Sequence, residues 1–194
     1  ISSAFLKKTA TNNIMEIIET VNGVQKQINC GVCGTSDIHI NGMEGPYSLI
    51  LIDGMPIMSS LSTVYGLNGI PTSLIKQIEI IKGPSSTLYG TEAVAGVINI
   101  ITKRPQDISK VEFDSFLSSD MEKNVDVSWS PKWNKADMLL SANLFHMDHF
   151  MDDNGDGFSD EVLSERISVF NKWVFHRKSG RVFDFSAKYY FEDR

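Results

Sequence analysis

Two clusters of side chains have the residue types and spacing that chemistry needs. In Cys30-Gly31-Val32-Cys33 two thiols stand two residues apart. Such a pair can serve as a redox couple, close as a disulfide, or hold a soft metal as thiolates. Redox motifs of the thioredoxin type open a helix after a strand, whereas Asn29, Gly31, Gly34 and Thr35 make these flanks loop-like. Closing so short a loop would contribute only about 2 kcal/mol, yet it would fix the loop's shape. The second cluster is Asp152-x-Asn154-x-Asp156-Gly157-Phe158-x-Asp160. It puts side-chain oxygens at positions 1, 3, 5 and 9 of a calcium loop, Gly at position 6 and the Phe158 carbonyl at position 7. Leu163 stands where that loop has its bidentate Glu, so the spacing suits calcium in 152–160 and equally an acidic turn-forming loop.

The remaining polar groups point away from catalysis. His146 and His149, three apart in a β-type run, would face opposite sides and make no metal pair. Lys82-Gly83-Pro84-Ser85-Ser86 is no phosphate loop, because Pro84 lacks a backbone donor. No Ser/His/Asp set is evident, no cofactor is required, and the chain reads as a non-enzyme.

Composition narrows the class. A length of 194 residues allows one or two domains, and a hydrophobic content of 42 % suits an ordinary core. The net charge of −6, with no basic patch, argues against a nucleic-acid partner. No apolar run is long enough for a membrane helix, but a transmembrane strand needs only about 9–11 residues of alternating polarity. No signal peptide opens at Ile1-Ser2-Ser3, and the last β-run stops without a partner, so an internal piece of a longer protein is expected.

The elements that would position these groups fall into two textures. Ser2 to Thr9 reads as a weak strand or loop. Ile14, Ile17, Ile18 and Val21 share a helical face, with Asn12 or Asn13 as N-cap and Asn22-Gly23 as the stop. Asp37 to Gly42 alternates like a strand and is expected to form a hairpin with Ser48–Ile52. Leu49–Ile52, Gln77–Ile81 and Val97–Ile101 are Ile/Leu/Val-rich runs bounded by Asp53-Gly54, Gly83-Pro84, Gly90 and Gly96. Ser73 to Lys76 predicts a short helix, and Pro105 closes the domain. After Gln106 polar and apolar residues alternate, as in Phe183, Phe185, Ala187, Tyr189 and Phe191. Five antiparallel strands of roughly ten residues are predicted, near the span of a bilayer at barrel tilt. The connections 131–136 and 178–180 are tight and 148–164 is long, matching the short inner turns and long outer loops of such barrels.

The order LIDG…IEIIKGPSSTLYGTEAVAGVINIITK, with NIMEIIETVNGVQ before it, resembles the plug domain of TonB-dependent outer-membrane receptors, most like the Bacteroidetes type. The resemblance runs from Asn12 to Arg104, with Asn41 and Lys82 where the family usually has Arg. It implies an α+β plug, a small mixed sheet with short helices, over 1–105. Residues 106–194 would then be the first antiparallel strands of a transmembrane β-barrel of roughly 22 strands. It further implies active uptake of a ferric siderophore, haem, cobalamin or other metal chelate across the outer membrane, the plug sitting in the lumen towards the periplasm. Partners would be the TonB-ExbB-ExbD energy-transducing complex, the chelate or cofactor substrate, and outer-membrane lipid. By the same resemblance the outward plug loops would offer Cys30, Cys33, Ser59, Ser60, Ser62 and Tyr65 to substrate. Glu79, Lys82 and Glu92 would make charge contacts between plug and barrel. A periplasm-exposed loop favours a Cys30–Cys33 disulfide. The alternative is a soluble redox or metal-handling domain built on the two cysteines.

Overall fold

The computed structural model describes residues 1–9, 11–30, 35–57, 67, 69–119, 121–152, 155, 157, 159, 162–177 and 181–194. The chain forms two compact units, Ile1–Thr102 and Lys103–Arg194.

In unit 1, Ser2 bridges Gln77 antiparallel and the Ile78 amide donates to the Ile1 carbonyl at 2.9 Å. A single-turn helix α1 (Ser3–Leu6) follows, where the sequence suggested strand or loop. Helix α2 (Ile14–Glu19) is N-capped by Asn13, whose side chain accepts from the Met15 amide at 3.0 Å. Its Ile14, Met15, Ile17 and Ile18 are all buried. Gly23, at φ 78, turns the chain into strand β1 (Val24–Cys30), which pairs antiparallel with β2 (Thr35–Ile40).

The second sheet contains β3 (Ser48–Ile52), β4 (Met55–Pro56), β5 (Ile75–Lys82) and β6 (Gly96–Thr102) in the order β4-β3-β6-β5. β3 and β6 run parallel; the other neighbours are antiparallel. The expected hairpin of 37–42 with Ser48–Ile52 does not form. β4 and β6 occupy the two edges of β3, so β2 pairs instead with β1. The β3–β4 turn is Asp53-Gly54 at φ 50 and 80, the left-handed pair that a two-residue hairpin demands. A 3-10 turn (Thr72–Leu74) replaces the predicted helix, and β5 already begins at Ile75. Helix α3 (Ser86–Tyr89) spans the return to β6.

Side-chain alternation explains the continuous apolar runs. Ile50, Ile78, Ile98 and Ile100 face α2 and the hairpin's Ile38 and Ile40, while Leu49, Leu51 and Val97 pack with Ala93 on the opposite face. Strands covered on both faces need no polar side. Gly96 is demanded by close approach: a Cβ there would collide with the Ile81 carbonyl oxygen.

Unit 2 is an antiparallel meander, β7 (Val111–Leu117), β8 (Lys123–Trp129), β9 (Ala136–Met147), β10 (Ser164–His176) and β11 (Val182–Asp193). β9, β10 and β11 have 12, 13 and 12 residues, enough to cross a bilayer at barrel tilt. Among the described residues no helix is long and apolar enough to cross a membrane, which leaves crossing by strands untouched.

Candidate functional site

Register sorts the side chains of unit 2 into two faces. One carries the cross-strand rows Val125–Leu144–Ile167–Phe191 and Val127–Ala142–Val169–Tyr189. Leu144, Ile167, Tyr189 and Phe191 are 46–61 % exposed. The other face carries Asp126–Asn143–Ser168–Tyr190 and Ser128–Ser141–Phe170–Lys188. Here Asp126, Ser128, Ser141, Asn143 and Ser168 are 1–4 % exposed. Apolar residues outside and polar residues inside reverse the pattern of a water-soluble sheet and match that of a transmembrane barrel wall.

Much of the buried polar face is hydrogen-bonded, although the buried Ser168 hydroxyl has no partner among the described residues. Asn143 donates to Asn124 Oδ1 at 2.8 Å and to Asp126 Oδ1 at 2.6 Å, and Ser128 donates to Ser141 at 2.9 Å. On the apolar face, Trp133, Trp173 and Phe175 stack in succession with centroids 5.9 Å apart, and Phe183 meets Phe175 tilted by 36° at 6.0 Å. Aromatic rings of this kind sit at the level of lipid headgroups. They gather at the tight-turn end of the sheet, opposite the long connection.

At the long-connection end, Asp148 lies 3.2 Å from His146 and 3.3 Å from Lys123, and His146 also meets Glu165 at 2.9 Å. The hydrogen bond from His146, then that from Lys123, holds the Asp148 carboxyl below the usual aspartate range. β9 ends at Met147, so His149 is not on a strand with His146. Of the calcium-loop residues, Asp152 accepts from the Gly155 amide at 2.7 Å and the Gly157 amide at 2.9 Å. Asn154, Asp156, Phe158 and Asp160 lie outside the described residues. Among the described residues no group of three or more His, Cys, Asp or Glu is placed to hold a metal.

In unit 1, Cys30 ends β1 half-buried, opposite Thr35 and beside an irregularity after Ile28. It belongs to a hairpin strand, not to a helix N-terminus that would favour a thiolate. Cys33, Ser59, Ser60, Ser62 and Tyr65 lie outside the described residues. Glu79 is exposed and accepts from Gln77 at 2.7 Å and Asn99 at 3.2 Å. Lys82 donates to the Asn22 carbonyl, just past α2, at 2.9 Å. Glu92 is exposed on the 3-10 turn Thr91–Ala93.

Two features of unit 1 were not singled out from the sequence. Asp53 accepts from the Thr102 amide at 2.8 Å and the Thr102 hydroxyl at 2.6 Å, tying the end of β6 to the β3–β4 turn. Asn99 receives the Gly54 amide at 3.0 Å and reaches Glu79, making a polar strip across the sheet. The signal for the second was present: Asn99 interrupts the run Val97–Ile101.

A family model described as the TonB-dependent receptor plug domain matches residues 1–97. Among curated proteins, the vitamin B12 transporter BtuB of Vibrio vulnificus is 28 % identical over 145 residues, covering 75 % of this chain and 24 % of that protein. The ferric enterobactin receptor PirA of Pseudomonas aeruginosa is 39 % identical over 114 residues, covering 52 % of this chain and 15 % of that one. The chain thus spans a quarter or less of the length of these relatives. Among solved structures, the siderophore receptor PirA from Pseudomonas aeruginosa superposes with a TM-score of 0.73 at 24 % identity, covering 99 % of this chain and 34 % of that one. The FrpB iron transporter from Neisseria meningitidis (F5-1 variant, apoprotein) gives 0.77 at 17 % identity, over 97 % and 31 %. Such identities speak for the fold: a plug domain followed by antiparallel barrel strands. Nothing in these matches supports a soluble redox domain.

Proposed function

The chain belongs to the TonB-dependent receptors, and from that premise we propose that it supplies the plug and first wall strands of a transporter for a scarce metal chelate or cobalamin across the outer membrane. The observation that carries the reading is the inverted polarity of unit 2, apolar on its exposed face and polar on its buried one, directly after a plug-family domain. A wall of that polarity borders lipid on one side and a polar lumen on the other. The plug closes the lumen, outward segments of unit 1 that include Cys30 at the end of β1 and Cys33, Ser59, Ser60, Ser62 and Tyr65 receive the substrate, and the TonB-ExbB-ExbD complex energises release. Cys30 and Cys33 form a disulfide that stiffens the hairpin tip, the expected state in an oxidising compartment. Calcium in 152–160 is a separate proposal, resting on ligand spacing and on Asp152 bracing its own loop.

The relatives named as a vitamin B12 transporter and a ferric enterobactin receptor nominate the probes. A strain lacking the full-length protein is supplied with ferric enterobactin, haem or another ferric chelate as sole iron source, or with cyanocobalamin as sole cobalamin source. Loss of growth on one of these, restored by the wild-type gene only when the energy-transducing complex is intact, supports the reading. Unimpaired growth on every source, or rescue independent of that complex, overturns it.

A further inference from the structure

The hold on the chain changes hands across one peptide bond. Thr102 is bound into unit 1 by Asp53 through two hydrogen bonds. From Lys103 onward the chain is fastened to unit 2. Lys103 meets Glu112 of β7 at 3.3 Å, and its side chain is only 13 % exposed. The Pro105–Asp107 turn is closed by Asp107, which accepts from the Arg104 amide at 2.9 Å. The Pro105 carbonyl accepts from the Ser130 hydroxyl at 2.8 Å, and the Lys110 carbonyl from the Ser130 amide at 3.0 Å. Gln106 donates to Asp137 of β9 at 2.9 Å. The same Asp137 oxygen lies 2.9 Å from His176 Nε2 of β10. Pro105, Ile108, Ser130 and Asp137 are all buried. A connector of a few residues is therefore tied directly to β7, to β9 and to the end of β8, and through Asp137 to β10, with Pro105 and Ile108 buried beneath its exposed polar side chains.

A loose linker would need none of this. We propose that residues 103–110 are a mechanical stop: their anchorage to unit 2 ends any unravelling that force at the N-terminal side drives through unit 1. The proposal rests on the reading above and adds to it that the energy-transducing complex delivers its work as a pull on unit 1 from the N-terminal side. The stop keeps the end of β6 beside its point of attachment, so that unit 1 refolds from a fixed end when the force is released. Ser130 and Asp137 are the anchoring residues, each reaching the connector from the sheet.

The test pulls the full-length protein, held in a supported bilayer, from its N-terminal side at forces that unravel unit 1 completely. It needs neither nutrient nor energy-transducing complex, so a failure of the transport reading leaves its outcome intact. The wild-type end point is the chain length preceding Lys103. In Ser130→Ala/Asp137→Ala the end point lengthens by residues 103–110, about 26–29 Å at ~3.3–3.6 Å per residue. Gln106→Ala, at an exposed residue outside the strands that donates to Asp137, reaches the longer end point at forces where the wild type still stops before Lys103. A wild-type end point that already includes 103–110, or variants that stop where the wild type stops, overturns the proposal.

Discussion

Asp53 fixes the end of β6 through both of its carboxylate oxygens. Replacing it with Ala removes the carboxylate to which the Thr102 amide and hydroxyl donate, and Thr102 is 1 % exposed. Each unsatisfied buried group costs about 1–3 kcal/mol, so Asp53→Ala should destabilise unit 1 by a few kcal/mol. Hydrogen exchange at the Thr102 amide should speed up accordingly, and unchanged protection would contradict the assignment. Gly96→Ala drives a methyl into the Ile81 carbonyl and should weaken the β5–β6 ladder, read as a lower denaturation midpoint of the full-length protein. In unit 2, the lowered carboxyl of Asp148 sets a pH window. Its contacts with His146 and Lys123 are complete above the ordinary aspartate range and are lost as the pH falls through the lowered value. Carbon-13 titration of that carboxyl should show Lys123→Met moving the midpoint upward; an unmoved midpoint would remove Lys123 from the account.

At the scale of elements, the lipid-facing rows predict where charge is forbidden. Val169 lies mid-strand on the apolar face, between the rows of Ile167 and Asn171. Val169→Arg should cost about 2–4 kcal/mol of folding into bilayers, measured by denaturant titration of the full-length protein in vesicles. Cost near zero would place that face outside the membrane. These strands were legible in the sequence because their alternation is clean and their turns are marked, as in Phe183 to Phe191 against Asp184 to Glu192. The plug's central strands were legible for the opposite reason, since burial on both faces leaves unbroken Ile and Leu. β1 was not legible: Gln25, Lys26 and Gln27 give it no apolar face, and only Val24 is fully buried. Missing β1 also misassigned the partner of β2, because the nearest apolar strand, β3, has both edges taken by β4 and β6. Asp53 was read only as half of a turn, since its grip on Thr102 spans a separation that local pattern does not reveal.

Across the whole molecule, two kinds of burial stand in one chain. Unit 1 hides Ile and Leu from water, as any small domain must. Unit 2 exposes Phe, Tyr, Leu and Ile and buries Ser, Asn and Asp, which is stable only where the outside is hydrocarbon. Strands β7 and β11 are the two ends of an open sheet, and five strands do not close a barrel. The wall therefore gains its full stability only with further strands beside it. Spin labels placed singly from Ile167 to Val174 in the full-length protein, in native outer membrane, test this most directly through their accessibility to dissolved oxygen and to a water-soluble nickel chelate. A strict alternation is expected, with 167, 169, 171 and 173 oxygen-accessible and shielded from nickel, and 168, 170, 172 and 174 shielded from oxygen. Uniform access of the nickel chelate to the first set would contradict it.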